Sequence, residues 1–204
     1  MKVASSPSIR SANLVSLENL PVPRDYRRGK TMPSEKMLPL VERGLPGEGH
    51  KLLEPLVGDW AVTMTLYAAM GSPEKPYTAK LTTHREWIAG GRYLRDVTEG
   101  ESFYRQGTLG YSNMDRRYEW VTQDAINTNM MIFLGIPGSG PQIPITMIGS
   151  FTDQGILGDS VAGQLVGQRT VVAIQDDDHH RIDLYLTPPG GEERLVDRKV
   201  FIRK

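Results

Sequence analysis

The sequence predicts an all-β protein: a closed antiparallel up-and-down β-barrel, with a short N-terminal helix at its base and an irregular N-terminal arm in front. Three observations carry this. From Trp60 onward nearly every segment alternates apolar and polar residues at period two, the mark of a strand with one buried face. These runs are short and evenly spaced, and Gly, Pro, Asn and Asp separate them. No long helical period intervenes, so successive strands pair as neighbours in a meander that closes on itself. A two-sheet sandwich has the same spacing, and spacing alone does not separate the two.

The arm comes first. Residues 1–46 hold Pro7, Pro21, Pro23, Pro33, Pro39 and Pro46 and show no sustained period, so this stretch buries too little apolar surface to fold alone. A turn of helix capped by Ser34 fits Ser34 to Val41, and Pro39 limits its length. The barrel domain spans residues 47–204. It opens with a short helix, His50 to Val57, placing Leu52, Leu53 and Leu56 on one face. Gly58-Asp59 ends that helix, and strands are predicted over 60–67, 79–88, 92–98, 103–111, 117–122, 127–134, 145–151, 164–175, 181–187 and 194–202. Gly90-Gly91 makes a hairpin turn, and the Gly-rich loop from Gly135 to Pro144 is expected at the barrel mouth.

Composition narrows the function classes. Lys+Arg and Asp+Glu both total 24, so the formal net charge is zero. A nucleic-acid partner is disfavoured, because phosphate neutralisation calls for a basic excess. Cysteine is absent, which removes disulfides, thiolate metal sites and Cys nucleophiles. No run reaches the roughly 18 consecutive apolar residues of a membrane span, and the first residues lack the apolar run of a secretory signal. A cytoplasmic location is the expectation, with no membrane partner. The four histidines are His50, His84, His179 and His180; no HxH or HxxxH spacing occurs, and no metal site is predicted. His179 and His180 read as solvated turn residues.

Several motifs then line up in order: His50-x-x-Leu53-x-x-Leu56-Val57-Gly58-Asp59-Trp60, Arg85-x-x-x-x-Gly90-Gly91-Arg92-Tyr93-Leu94, Gly107-x-x-Gly110-Tyr111, Tyr118 with Trp120, and the last hairpin from Asp178 to Arg203. Together they resemble the domain-of-unknown-function 1579 family of calycin-like (lipocalin-like) barrels over about residues 50–204. The resemblance implies a β-barrel and brings no activity with it. In lipocalins an Arg of the last strand stacks across the Trp of the opening motif, which implies that role here for Arg203 or Arg198 on Trp60. A calycin-like haem barrel, nitrobindin, holds haem through one His near its C-terminal end, where His179 and His180 fall. The motif that carries this is missing, so no cofactor is expected and haem stands as the alternative.

Candidate site residues follow from strand faces. In one strand Arg85 and Trp87 share a face, and its hairpin partner carries Arg95; two arginines near a tryptophan suit a carboxylate or a planar polar ligand. The opposing expectation is that Arg85 and Arg95 pair with Glu86, Asp96 or Glu99 on an exposed surface. Tyr118 and Trp120, Asn129, Asp183 and Tyr185 complete a set of aromatic and polar residues of the kind that lines small-molecule pockets. The leading reading is a small-molecule-binding barrel whose ligand is apolar or aromatic with a polar end. A cofactor-independent enzyme is the second reading, with Asp183, Tyr185 or His84 as acid or base. The third is an oligomerisation or scaffold module with a filled barrel, the arm then joining copies into a homo-oligomer.

Overall fold

The structure is a computed structural model that describes residues 39–204, all of them in or next to the barrel. Two short helices, α1 (Pro39–Arg43) and α2 (Glu48–Lys51), and a single 3₁₀ turn (Glu54–Leu56) precede ten strands. These are β1 (Gly58–Leu66), β2 (Tyr77–Ile88), β3 (Tyr93–Gly100), β4 (Phe103–Ser112), β5 (Arg117–Asp124), β6 (Met131–Leu134), β7 (Ile145–Thr152), β8 (Leu165–Ile174), β9 (His179–Thr187) and β10 (Arg194–Arg203). Each strand pairs antiparallel with its chain neighbours, and β1 pairs with β10, so the sheet is a closed barrel and the sandwich alternative falls away. Closure leaves no open edge along the sheet. Ser34 and most of the arm lie outside the described residues; the helical turn seen, α1, begins at Pro39, where proline at a helix start loses no hydrogen bond.

The predicted helix from His50 to Val57 is broken in two. Pro55 has no N–H to donate, so the chain tightens from α2 into the 3₁₀ turn, still burying Leu53 and Leu56 completely. Beyond them Gly58 turns the chain into β1 at φ +118°, a conformation that side chains other than glycine rarely adopt. Its missing side chain also makes room: a Cβ there would lie 2.7 Å from Nη1 of Arg203. Arg203 is the cross-strand partner of Trp60. Its guanidinium lies 4.3 Å from the Trp60 ring centroid while Nη1 donates to Val57 O (2.7 Å) and Nη2 to Pro55 O (2.9 Å). Trp60 is fully buried and donates its indole N–H to Leu56 O at 3.0 Å. The helical segment, the first strand and the last strand are thus fastened at one point, the base of the barrel.

Above Trp60 the base is filled by rings. His180 meets Trp60 edge-on with centroids 4.3 Å apart and stacks on Phe201 at 4.2 Å; Arg85 also lies against Phe201, 4.6 Å from its centroid. Arg85 Nη1 contacts His180 Nε2 at 2.7 Å. Arginine only donates, so Nε2 accepts and the imidazole is the neutral tautomer with its proton on Nδ1. Burial first, then the charges of Arg85 and Arg203, push the His180 pKa down to about 2. The expectation of a solvated turn histidine therefore holds for His179 alone, which is exposed beside Asp176; His180 is 1 % exposed.

Two other expectations are corrected. The strand predicted over 127–134 starts only at Met131, because Asp124 accepts from the backbone N–H groups of Ile126 and Asn127 and holds a turn there. The Gly135–Pro144 loop sits at the base, not the mouth: the N–H groups of Gly138 and Gly140 donate to Asp115 O and Arg116 O in the β4–β5 turn. In an up-and-down barrel the β4–β5 and β6–β7 connections necessarily share an end. At the mouth, Ala69 N in the β1–β2 loop donates to Ile156 O in the β7–β8 loop at 3.1 Å, so those two loops meet there.

Two outcomes are expected. Trp60→Ala removes a large buried ring and lowers the unfolding free energy by about 3–5 kcal/mol, read by urea unfolding; a variant of wild-type stability would contradict the base as described. For His180 the folded form binds its proton only near pH 2, whereas the unfolded chain does so below about pH 6.5. Its contribution to stability is present above that pH and is lost as pH falls, by at most about 1.4 kcal/mol per pH unit. Between pH 7.5 and pH 5.0 the wild type should lose about 2 kcal/mol more than His180→Gln. Equal losses in the two proteins would show that His180 is free to ionise in the fold.

Candidate functional site

The strands that close the base leave space at the other end. A cavity of about 200 Å³ lies between the ring-filled base and the mouth loops. Met64, Phe103, Met131, Phe133, Ile182 and Val196 form its apolar wall, and Ile156 reaches in from the β7–β8 loop. Its polar side chains are few: Arg105 of β4, Trp120 and Thr122 of β5, Thr170 of β8, Asp197 and Lys199 of β10, and Asp124 and Asn127 at the rim.

Between cavity and base runs a buried layer of charge. Arg85 and Asp96 are cross-strand partners in β2 and β3, and Arg85 Nε donates to Asp96 Oδ2 at 3.3 Å. Arg105 Nη2 donates to the same carboxylate at 2.9 Å and to Thr98 Oγ1 at 3.4 Å, and Thr98 and Thr83 share a hydrogen bond at 2.8 Å. One carboxylate thus joins two guanidinium groups in the interior. Arg105 also lies over the Trp120 ring, 5.0 Å from its centroid. This arrangement depends on Gly107, which faces Asp96 across the sheet; a Cβ there would stand 2.8 Å from Trp120 Nε1 and 3.1 Å from Asp96 Oδ1. Lys199, 5 % exposed, pairs with Asp197. Burial holds the Lys199 pKa below the usual lysine value, Asp197 draws it back up and Arg105 lowers it again. Burial brings Arg85 down to about 10 against the pull of Asp96, so it stays a cation at neutral pH.

The residues singled out in the sequence distribute differently. Tyr118 and Trp120 point inward, but only Trp120 reaches the cavity; Tyr118 donates its hydroxyl to Gly49 O (3.1 Å) at the base, and burial pushes its pKa up to about 12. Arg85 is buried beneath the cavity and pairs with Asp96, not with Glu99 or Asp183. Trp87 shares its face but ends β2 beside the 3₁₀ turn, where its indole donates to Glu54 Oε2 at 2.9 Å. Arg95 lies outside and pairs with Glu86. Asn129 falls in the turn before β6 and donates to Thr152 O.

Asp183 and Tyr185 sit on the outer face of β9. Asp183 is covered there by Arg198 and Arg181, and Arg169 lies over the Tyr185 ring. The reason is the wall itself: Ile182 and Leu184 of the alternate face line the apolar cavity, so the polar face turns outward. His84 is exposed and bonded to Asp59. None of the acid/base candidates Asp183, Tyr185 and His84 lines the cavity, and neither do His179 and His180, the residues of the haem alternative. Of the two arginines considered for Trp60, Arg203 takes that place and Arg198 is spent on Asp183.

Sequence reasoning missed Arg105, Lys199 and Asp197. Strand parity held a signal for all three, since Arg105 shares a face with Gly107 and Leu109, and Asp197 and Lys199 share one with Phe201. The bulge in β10 falls before Asp197 and leaves that parity intact.

Among the described residues no group of three His, Asp or Glu converges as a metal site, and no helix is long and apolar enough to cross a membrane. A search of curated proteins finds no significant match. A family model described as a protein of unknown function, DUF1579, matches residues 45–203, from the segment before α2 to the last residue of β10. The match takes in every strand of the barrel, and the chain belongs to the domain-of-unknown-function 1579 family.

Proposed function

We propose that this barrel binds one small, largely apolar molecule with a polar end. The observation that carries the reading is the cavity: a largely apolar wall, open towards the mouth, with a few polar side chains set into it, the usual make-up of a small-molecule site. Its size, about 200 Å³, lies above that of a benzene-sized cavity and below that of drug-sized pockets, which suits roughly ten non-hydrogen atoms. The space speaks against the scaffold reading, which called for a barrel filled by its own side chains. The enzyme reading has lost its three candidates to the outer wall. Arg105 and Trp120 take the part first given to Arg85 and Trp87, a cation beside an indole at the polar end.

At roughly 0.5 kcal/mol per non-hydrogen atom, a ligand of that size binds with Kd on the order of 0.1 mM. Titrating the protein with octanol, octanoate and octylamine while following tryptophan fluorescence tests this. At least one should give a saturable change at one molecule per chain, and Trp120→Phe should abolish the change because Trp120 is the tryptophan on the cavity wall. Flat titrations with all three would reject a binding site for a molecule of this kind.

A further inference from the structure

We propose that the polar end of the ligand is a single negative charge, a carboxylate received by Arg105, Lys199 and the indole N–H of Trp120. This rests on the binding reading above and names the class of molecule it concerns. Three cations, Arg85, Arg105 and Lys199, project into the barrel, each no more than 7 % exposed. The carboxylates set against them are Asp96, shared by both arginines, and Asp197, paired with Lys199. Asp124 stands across β4–β5 from Arg105, but Oδ1 of that carboxylate accepts from Ile126 N (2.8 Å), Asn127 N (2.7 Å) and Asn127 Nδ2 (3.1 Å). Asp153, the other buried acid of the mouth, accepts from Ile156 N and Leu157 N. Asp124 and Asp153 keep their charges but hold the loops of the mouth, so within the inner layer itself three cations face two carboxylates.

Hydrogen-bond capacity points the same way. Arg105 Nε and Trp120 Nε1 are buried without an acceptor, and both residues line the cavity. Lys199 carries three N–H donors and makes one bond, to Asp197. An uncompensated buried cation and two idle buried donors are each unfavourable. A carboxylate supplies the charge and takes both donors through its two oxygens, as arginine–carboxylate geometry permits. An alcohol takes one donor and leaves the charge, and an amine adds a fourth cation. Unpartnered acceptors are also present: Gln168 Oε1 lies away from the cavity, Asn127 Oδ1 sits at its rim, and Asp197 Oδ1 belongs to a carboxylate whose charge is already answered by Lys199.

The test is isothermal titration calorimetry at pH 7.5 and low salt with three probes of equal chain length, octanoate, octanol and octylamine, and with acetate. Octanoate should bind about tenfold or more tightly than octanol, the gain of charge-assisted hydrogen bonds, with octylamine weakest. Arg105→Met, and independently Lys199→Met, should each lower octanoate affinity about tenfold and leave octanol within about twofold; thermal melts confirm that each variant is folded. The wild-type ranking stands as a test even if neither variant folds. Octanol binding as tightly as octanoate, or octylamine more tightly, overturns the carboxylate assignment while leaving the binding reading intact. Binding by none of the four overturns both. Acetate binding as tightly as octanoate overturns the assignment to an organic acid with an apolar body.

Discussion

The fold depends on the contact between Trp60 and Arg203. A ten-strand meander becomes a barrel only if its first and last strands meet in register, and these two residues face each other across that seam. The indole is fully buried at the base of the barrel. The guanidinium lies on it and uses its own N–H groups to hold the carbonyls of Pro55 and Val57, which would otherwise be unpaired where the helical segment passes into β1. One side chain thus closes the sheet, caps the entering chain and covers the ring. Everything stacked above it, His180, Phe201 and then Arg85, inherits its position from that seam. Because the base is filled in this way, the space that the strands enclose is displaced to the other end.

The charged layer divides the sealed base from the cavity. Taking ions out of water is unfavourable unless geometry returns the loss, and here a single carboxylate, Asp96, accepts from two arginines while a threonine pair extends the network. Gly107 is what lets Asp96 and Trp120 stand side by side. The polar contacts outside the barrel are of another kind. The Arg95–Glu86 ion pair and the His84–Asp59 hydrogen bond are solvated and contribute little. The Asp183 carboxylate is shielded by Arg198 and Arg181 and braces β9 against β10 from outside. The same residue types thus do different work on the two faces of one sheet.

Much of the architecture was legible beforehand. Period-two alternation from Trp60 onward is a direct consequence of strands with one buried face, and the predicted segments coincide with the ten strands to within a few residues except at β6. There residues 127–130, placed in the strand by the sequence reading, were claimed instead by the hydrogen-bonding capacity of one aspartate. The candidate site was less legible. Alternation says that two faces exist and not which one looks inward. For β5 the aromatic face was chosen, and Trp120 does reach the cavity. For β9 the polar face was chosen on the expectation that pockets gather polar groups, yet this wall is apolar and Asp183 and Tyr185 face out.

The sequence by itself determined that the chain is all-β, where its strands fall, and that Gly58 turns the chain into the strand of Trp60, because local sterics and side-chain alternation act over a few residues. The late arginine on Trp60 was implied by the family resemblance. Only the tertiary structure decided that β1 meets β10, that Asp96 stands between Arg85 and Arg105, and that Asp197 and Lys199 join Trp120 around one cavity. Those juxtapositions depend on barrel register: Arg85, Asp96 and Arg105 meet across neighbouring hairpins, and the β1–β10 seam joins strands from opposite ends of the barrel domain. A shift of one residue in any strand would exchange inner and outer faces, so the interior of a barrel is a property of the closed sheet and of no single strand.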